Sequence, residues 1–367
     1  MESNGCHDRV LVTGASGLIG SHVVHALLEA GYPVRGFSRR PPAAQSRAVK
    51  PGAVGAAHSN GAAHANGAAQ GNGAAPANGS QHVIGDVRDE DALAGAMRGC
   101  GAVIHTAGVY SYERADATAM MATNVHGTDR VLSVAARAGV RRIVVTSSAA
   151  TCGPVGDRPA DERDDPPDWE LCVPYKRSKL AGERVALVHA AAGQDVVIVN
   201  PTTTVGAWDR RPTPSGQMVR DVITRRIRGY VGGGGLNVVS AADVARGHVL
   251  ALERGASGER YLLGGENLAM DQVFALIARF AGVPAPRLRV PYRVALTAAT
   301  ALDAGSRALS RRGSSLLVLD EVRLARMPMY FAIDKAQDQL GYRPEPAAQA
   351  LAAAVAWFTH DGRACQD

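Results

Sequence analysis

The chain's first strong signal is a short apolar run, Val10-Leu11-Val12, bounded by Arg9 and by Thr13-Gly14. A continuous run of this length predicts a strand buried on both faces. From Leu18 the period changes. Leu18, Ile19, Val23, Val24, Leu27 and Leu28 recur at helical spacing, and Gly31 stands where a helix stops. The alternation continues, with strands expected at Val34 to Ser38, His82 to Asp86, Ala102 to His105, Arg142 to Thr146 and Val196 to Asn200. Helices are expected at Asp89 to Met97, with Asp89 as the cap, from Asn124 to Ala138, from Tyr175 onward, and at the end from Ala347 to His360. Strands alternating with helices imply a parallel, doubly wound sheet, which takes its ligands at the carboxyl ends of the strands.

One stretch interrupts this pattern. Pro41 to Ser80 is built of Ala, Gly, Asn, Pro and His, with Asn-Gly-Ala-Ala recurring, and has too few large apolar residues to order itself. It reads as a disordered insertion, in which His58 and His64 are too sparse for a metal site. The whole chain has 367 residues and 46% hydrophobic content, enough for a large α/β domain and a smaller one. No apolar run approaches a membrane span and no secretory signal precedes the first strand, so a cytoplasmic protein without an integral membrane segment is expected. Cys6, Cys100, Cys152, Cys172 and Cys365 lack zinc or redox spacing and read as reduced thiols. The net charge of +6 invites a nucleic-acid reading, but the arginines are scattered and aromatics make up only 5%. An anionic cofactor is reason enough for the charge. Lysine occurs only at Lys50, Lys176, Lys179 and Lys335, so a lysine inside a motif calls for a chemical reason.

Three motifs carry chemistry. Gly14, Gly17 and Gly20 join the first strand to the first helix, with Ser16, Leu18 and Ile19 among them. Such a turn lets backbone approach a pyrophosphate, and the helix start adds free N–H groups and partial positive charge. The second strand ends in Ser38-Arg39-Arg40, where an NAD site usually carries an acid. Arginines there suit a 2′-phosphate, so NADP(H) is expected, with NAD(H) still open. Tyr175 and Lys179 lie four apart, on one helical face. The ammonium is expected to lower the phenol's pKa, fitting Tyr175 to exchange a proton with a carbonyl oxygen or alcohol.

The glycine spacing is G-x-x-G-x-x-G, not the common G-x-G-x-x-G. It resembles the extended short-chain dehydrogenase/reductases, which include sugar epimerases and dihydroflavonol reductases. Further residues carry the likeness: PYKRSKLAGE from Pro174, VIVNPTTTVGAWDRRPTPSG from Val197, GERYLLGGENL from Gly258 and LGYRP from Leu340. Among members, hopanoid-associated sugar epimerases and dihydroflavonol reductase-like enzymes are the most similar. The resemblance implies a doubly wound parallel Rossmann sheet with a smaller helix-rich C-terminal substrate domain. Residues 1–206 would hold the cofactor and most of 207–367 the substrate, some segments returning to the first domain. It implies a catalytic set of Ser148, ahead of Ser147, with Tyr175 and Lys179, and a water relay supported by Asn124. Lys179 would also meet the nicotinamide ribose. Asp86 and Val87 would lie near the adenine, His105 and Ala107 along the cofactor, and the segment holding Pro201 and Thr203 would be a loop over the nicotinamide. The family's H-V-D-D segment stands here as Ser240-Ala241-Ala242-Asp243, which bears on how the second domain is braced.

The reaction implied is hydride transfer between NADP(H) and a carbonyl or alcohol. Epimerisation of a sugar with tightly held cofactor is the alternative, and a non-catalytic cofactor sensor is disfavoured by the intact Ser-Tyr-Lys set. Partners expected are a small-molecule substrate and no nucleic acid, with a homodimer left open. Some residues admit two readings. Tyr110 and Tyr112 line a substrate pocket or pack a loop. Arg210, Arg211, Arg220, Arg225 and Arg226 grip a diphosphate or cover solvated helix faces. The stretch from Tyr292 to Arg312 packs in the second domain or touches a membrane surface.

Overall fold

The computed structural model describes residues 8–41, 81–156, 158–308, 319–325 and 327–360. Apart from Pro41, the expected disordered insertion lies outside them. The elements are β1 (Arg9–Thr13), α1 (Leu18–Glu29), β2 (Val34–Ser38), β3 (Gln81–Ile84), α2 (Glu90–Met97), β4 (Cys100–His105), α3 (Ala117–Met120), α4 (Thr128–Arg137), β5 (Arg142–Thr146), α5 (Pro174–Ala191), β6 (Val196–Pro201) and β7 (Thr203–Val205). There follow α6 (Pro214–Ile223), β8 (Gly229–Val231), β9 (Gly235–Ser240), α7 (Ala241–Arg254), β10 (Arg260–Leu263), β11 (Glu266–Ala269), α8 (Met270–Ala281), β12 (Leu288–Val290), α9 (Tyr292–Ala308), α10 (Leu319–Leu324) and α11 (Ala347–His360).

Seven strands form one sheet in the order β10-β6-β5-β4-β1-β2-β3, with every neighbouring pair parallel. The apolar runs are buried on both faces because helices cover both. Val10, Val12, Val144 and Val197 pack on one side with Val23, Leu27 and Ala251. Leu11, Val103, Ile143 and Ile198 pack on the other with Leu93, Met97, Leu132 and Ala186. Strand order reverses between β1 and β4, so the crevice beyond their carboxyl ends is where such a sheet binds ligands.

Four details differ from the sequence expectation. β10 is a seventh strand, added at the sheet edge by Arg260–Leu263 pairing with β6. β3 stops at Ile84, because the Asp86 carboxylate accepts from the Arg88 backbone N–H at 3.0 Å and turns the chain. The helix through Asn124 is interrupted: Met121–Gly127 is a π-helical turn between α3 and α4. The expected loop after Pro201 is partly a strand, because the β-branched Thr203, Thr204 and Val205 pair with Val238, Val239 and Ser240 of β9.

Strands β11, β9 and β7 form a second, three-stranded sheet. Val205, Val219, Val238, Phe274, Ile277 and Leu351 make the core between it and α6, α8 and α11. Asp243 is fully buried and braces this region, accepting from the Glu345 backbone N–H at 3.1 Å and pairing with Arg246. α9 runs to Ala308, and its Ala295 and Ala299 pack on Leu319 and Val322 of α10; residues 309–312 of the expected stretch are outside those described. Among the described residues no helix is long and apolar enough to cross a membrane.

Candidate active site

The crevice begins at the glycine turn. Gly14 has φ +71°, and a Cβ there would lie 2.7 Å from the Ala107 backbone N. A Cβ on Gly20 would overlap the Gly14 carbonyl, so α1 packs on the turn only as glycine. Gly17 caps α1 in an extended conformation with no side-chain hydrogen bond, and no acid stands in the first turn. The first N–H groups of α1 are thus left to an external acceptor. Thr13 and Thr106 lace the ends of β1 and β4: Thr106 Oγ1 donates to the Thr13 carbonyl at 2.7 Å. A cradle of backbone without room for a Cβ, closed by an uncapped helix start, fits a dinucleotide pyrophosphate.

Arg39 and Arg40 follow β2 and are both exposed. Ser38 Oγ shapes their turn by donating to the Arg40 carbonyl at 2.6 Å. Asp86 lies beyond β3, where Arg88 holds its carboxylate bidentately at 3.0 and 2.8 Å. That hydrogen bonding keeps the carboxyl below its usual range, with Arg39 adding a smaller attraction. Val87 beside it is buried and packs with Phe37 and Leu93.

The structure brings Ser148, Tyr175 and Lys179 together at the carboxyl end of β5. Tyr175 is the second residue of α5, with its hydroxyl close enough to Ser148 for that side chain to draw its pKa down. Ser148 Oγ also accepts from the Ala150 N–H at 3.2 Å. The alternative, Ser147, has a buried hydroxyl without a partner among the described residues. Lys179 is one turn along α5, its Nζ donating to the Thr146 carbonyl at 3.1 Å. Burial lowers Lys179 to about 8, opposed by the charge of Glu183. The expected lowering of Tyr175 does not occur. Burial raises it, Tyr110 raises it further, and Ser148 only partly offsets them. Tyr110 covers the Tyr175 ring at 4.5 Å between centroids, and Tyr112 meets it edge-on at 6.2 Å. Met120, Ala150, Val173 and Leu324 complete an apolar surround.

Asn124 sits in the π-helical turn, buried and saturated. It accepts from the Val109 N–H at 2.8 Å, and donates to the Val109 carbonyl and to Ser178 Oγ at 3.0 Å each. It therefore ties the tyrosine-bearing loop to α5. The His105 side chain turns away from the strand ends, bridging Thr13 Oγ1 at 2.7 Å and Thr128 Oγ1 at 3.1 Å. Burial and then Lys179 lower its pKa to about 3. Only its backbone and Ala107 border the crevice. Pro201 ends β6 and Thr203 begins β7. The arginines read as a group do not converge: Arg226 pairs with Asp221 at 3.7 Å and Arg210 lies over Trp357 at 5.9 Å.

The family model for the NAD dependent epimerase/dehydratase family matches residues 10–264. A putative dihydroflavonol 4-reductase from Synechocystis is 36% identical over 97% of this chain and 96% of its own. The chain belongs to the NAD dependent epimerase/dehydratase family. Two solved structures extend the likeness. That of gox2253 superposes with a TM-score of 0.79 at 33% identity, covering 97% of this chain and 99% of that one. A nucleoside-diphosphate-sugar epimerase from Pseudomonas aeruginosa gives 0.71 at 26%, with the same coverage of 97% and 99%. As a family member the chain is an NAD(P)-dependent oxidoreductase or epimerase.

Within this family member, Glu183 is a residue that motif reading passed over. It is buried, accepting from Thr151 Oγ1 at 2.8 Å, Asn200 Nδ2 at 2.7 Å and Arg260 at 2.9 Å. It ties α5 to β6 and β10 and places a negative charge one turn from Lys179. Its spacing from Lys179 repeats that of Tyr175 to Lys179, and that repetition was the available signal.

Proposed function

We propose that this family member is an NADP(H)-dependent reductase that transfers hydride to a carbonyl on a small-molecule substrate. Residues 1–206 hold the cofactor and most of 207–367 form the substrate side. The observation that carries the reading is the gathering of Ser148, Tyr175 and Lys179 at the end of β5. A nicotinamide bound there supplies the hydride. Ser148 and Tyr175 hold the substrate oxygen between two hydroxyls. Burial keeps Tyr175 protonated at neutral pH, so it stands ready to donate as the oxygen gains charge. Lys179, still mostly an ammonium at neutral pH, stabilises the phenolate that Tyr175 becomes. Arg39 and Arg40, with no acid in their turn, favour a 2′-phosphate. The apolar surround of Tyr175 excludes water from the transfer.

Screening NADPH against ketones, aldehydes and nucleotide sugars tests this. A reductase consumes one NADPH per product and delivers deuteride from labelled NADPH to the product carbon. The likeness to a nucleoside-diphosphate-sugar epimerase supports a second reading. Inverted product with no net cofactor consumption would establish that one instead. NADH bound as tightly as NADPH would remove the 2′-phosphate assignment.

A further inference from the structure

We infer that His248 on α7 is a positioning residue for Lys179: it pins the Thr146 hydroxyl, and so fixes the strand end whose carbonyl holds the Lys179 ammonium. The inference rests on the proposed Ser148–Tyr175–Lys179 reading and adds a residue from the helix layer opposite the one that carries the tyrosine.

The end of β5 is gripped from both sides of the sheet. Val144 packs with Ala245 and Val249 of α7, and Val145 packs with Ala186 of α5. Side chains alternate along a strand, so Thr146 faces α7 as Val144 does. There Thr146 Oγ1 lies 2.8 Å from His248 Nε2. Lys179 reaches the same residue from α5, donating to the Thr146 carbonyl at 3.1 Å. Thr146 thus joins the two helix layers where the chain leaves the sheet. Just beyond it the Ser147 N–H donates to the Val199 carbonyl at 2.8 Å, and Ser148 already caps the following turn.

The chemistry of the imidazole sets the direction of the His248 bond. His248 is fully buried, and its Nδ1 lies 2.7 Å from the Val244 carbonyl. A carbonyl only accepts, so Nδ1 carries the proton, Nε2 is bare and the Thr146 hydroxyl donates to it. Burial lowers the His248 pKa to about 4, so this neutral form persists at neutral pH. α7 is a firm anchor for the bond. Ala245, Val249, Ala251 and Leu252 hold it in the core, and Ser240 caps its first turn. A β-branched side chain is stiff at χ1, so a threonine hydroxyl held at Nε2 restrains the backbone that bears it. Without that hold the carbonyl is free to tilt away from Lys179, whose charged form then loses an acceptor.

Lys50, Lys176, Lys179 and Lys335 are the only lysines, so the full chain labelled with carbon-13 at lysine gives a readable NMR titration of Lys179. Loss of its signal in Lys179→Arg assigns it. Tyr175 and Glu183 on α5 and His105 on β4 surround Lys179 and are unchanged in every other variant. Thr146→Val is close to isosteric and removes the hydroxyl. The Lys179 midpoint is expected to move about 0.5 pH unit lower, and kcat for carbonyl reduction to fall about fivefold with KM unchanged. His248→Leu is expected to give the same shift, and the double variant no more than either single change. His248→Gln, which keeps an acceptor, is expected to retain the wild-type midpoint. A midpoint unmoved in Thr146→Val would overturn the inference and leave the reductase reading in place. Additive shifts in the double variant, or a shift in His248→Gln as large as in His248→Leu, would also overturn it, since the effect is then one of packing. The titration needs no turnover. A wild type inactive with NADPH on every carbonyl would remove the reductase reading, while the midpoints alone decide whether His248 places Lys179.

Discussion

The two ends of the crevice are made of opposite materials. At the β1–α1 turn the surface is backbone: glycines with no room for a Cβ and a helix start without a side-chain cap. At the β5–α5 end it is side chains, with Ser148, Tyr175 and Glu183 buried and Lys179 half-buried among them. On the proposed reading the first end binds through shape and fixed dipoles, so it should tolerate changes of charge and pH but not of volume. On the same reading the second works through protons in a low-dielectric setting, so it should tolerate conservative changes of shape but not the loss of one titratable group. Each substitution below tests that division.

The largest effect is expected at the side-chain end. Tyr175→Phe keeps the ring against Tyr110 and Tyr112 and removes the transferable proton. Turnover should fall about 10³-fold, the scale of a lost general acid. Cofactor affinity should stay within a factor of two or so, since the backbone cradle is untouched. Steady-state kinetics and a binding titration on the same variant give both numbers. Retained turnover would mean that another group donates the proton.

The backbone end gives the mirror image. Gly20→Ala forces a methyl into the Gly14 carbonyl, and a shift of α1 should cost about 1–3 kcal/mol and lose dinucleotide affinity. Gly17→Ala is the control. Its φ is −82° and its Cβ would meet only the Gly14 carbonyl at 3.3 Å, so it should be far milder. Equal losses in the two variants would show that close packing of the turn is not what matters.

These two ends were not equally legible. The glycine spacing, the strands at Val10 and Arg142 and the Tyr175–Lys179 pair follow from local period and spacing, which a sequence displays. β10 was missed because four residues at a sheet edge become a strand only by pairing with β6. The segment after Pro201 resembles a loop in sequence because its partner, β9, is remote along the chain. Glu183 and His105 owe their roles to contacts with residues far along the chain. Spacing shows the charge beside Tyr175 and says nothing of the burial that sets the direction of its pKa.

Glu183→Gln sharpens the comparison further. Lys179 loses its proton near pH 8 in the folded state, so kcat/KM should decline as pH rises through about 8. The groups around it are Tyr175 and Glu183 on α5 and His105 on β4. Removing the Glu183 charge removes the interaction that opposes desolvation, so the decline should move to lower pH. Rates at neutral pH should fall by about tenfold or less. An unmoved alkaline limb would make Glu183 a structural tie only.

The smallest effect falls on the residue that joins the two ends. His105 contacts Thr13 beside the glycine turn and feels the charge of Lys179. Its folded pKa is lowered to about 3 against an ordinary 6.5. His22 and His248 are each lowered by burial to about 4. Below pH 6.5 the unfolded chain takes up protons that the folded chain refuses, so the unfolded state binds more protons and stability falls on acidification. The loss should begin near pH 6.5 and continue toward the folded values of about 3 to 4. Between pH 6.5 and pH 5 each imidazole contributes up to about 2 kcal/mol, since each pH unit of refused protonation is worth about 1.4 kcal/mol. Chemical denaturation between pH 7 and pH 5 should show it in wild type, and His105→Gln should flatten the slope by about one proton's worth. NADH binding over the same range should barely change, because its diphosphate stays ionised and a backbone cradle has nothing to titrate. Binding that fell in step with stability would mean that the two ends share one electrostatic system through His105, and the division drawn between them would fail.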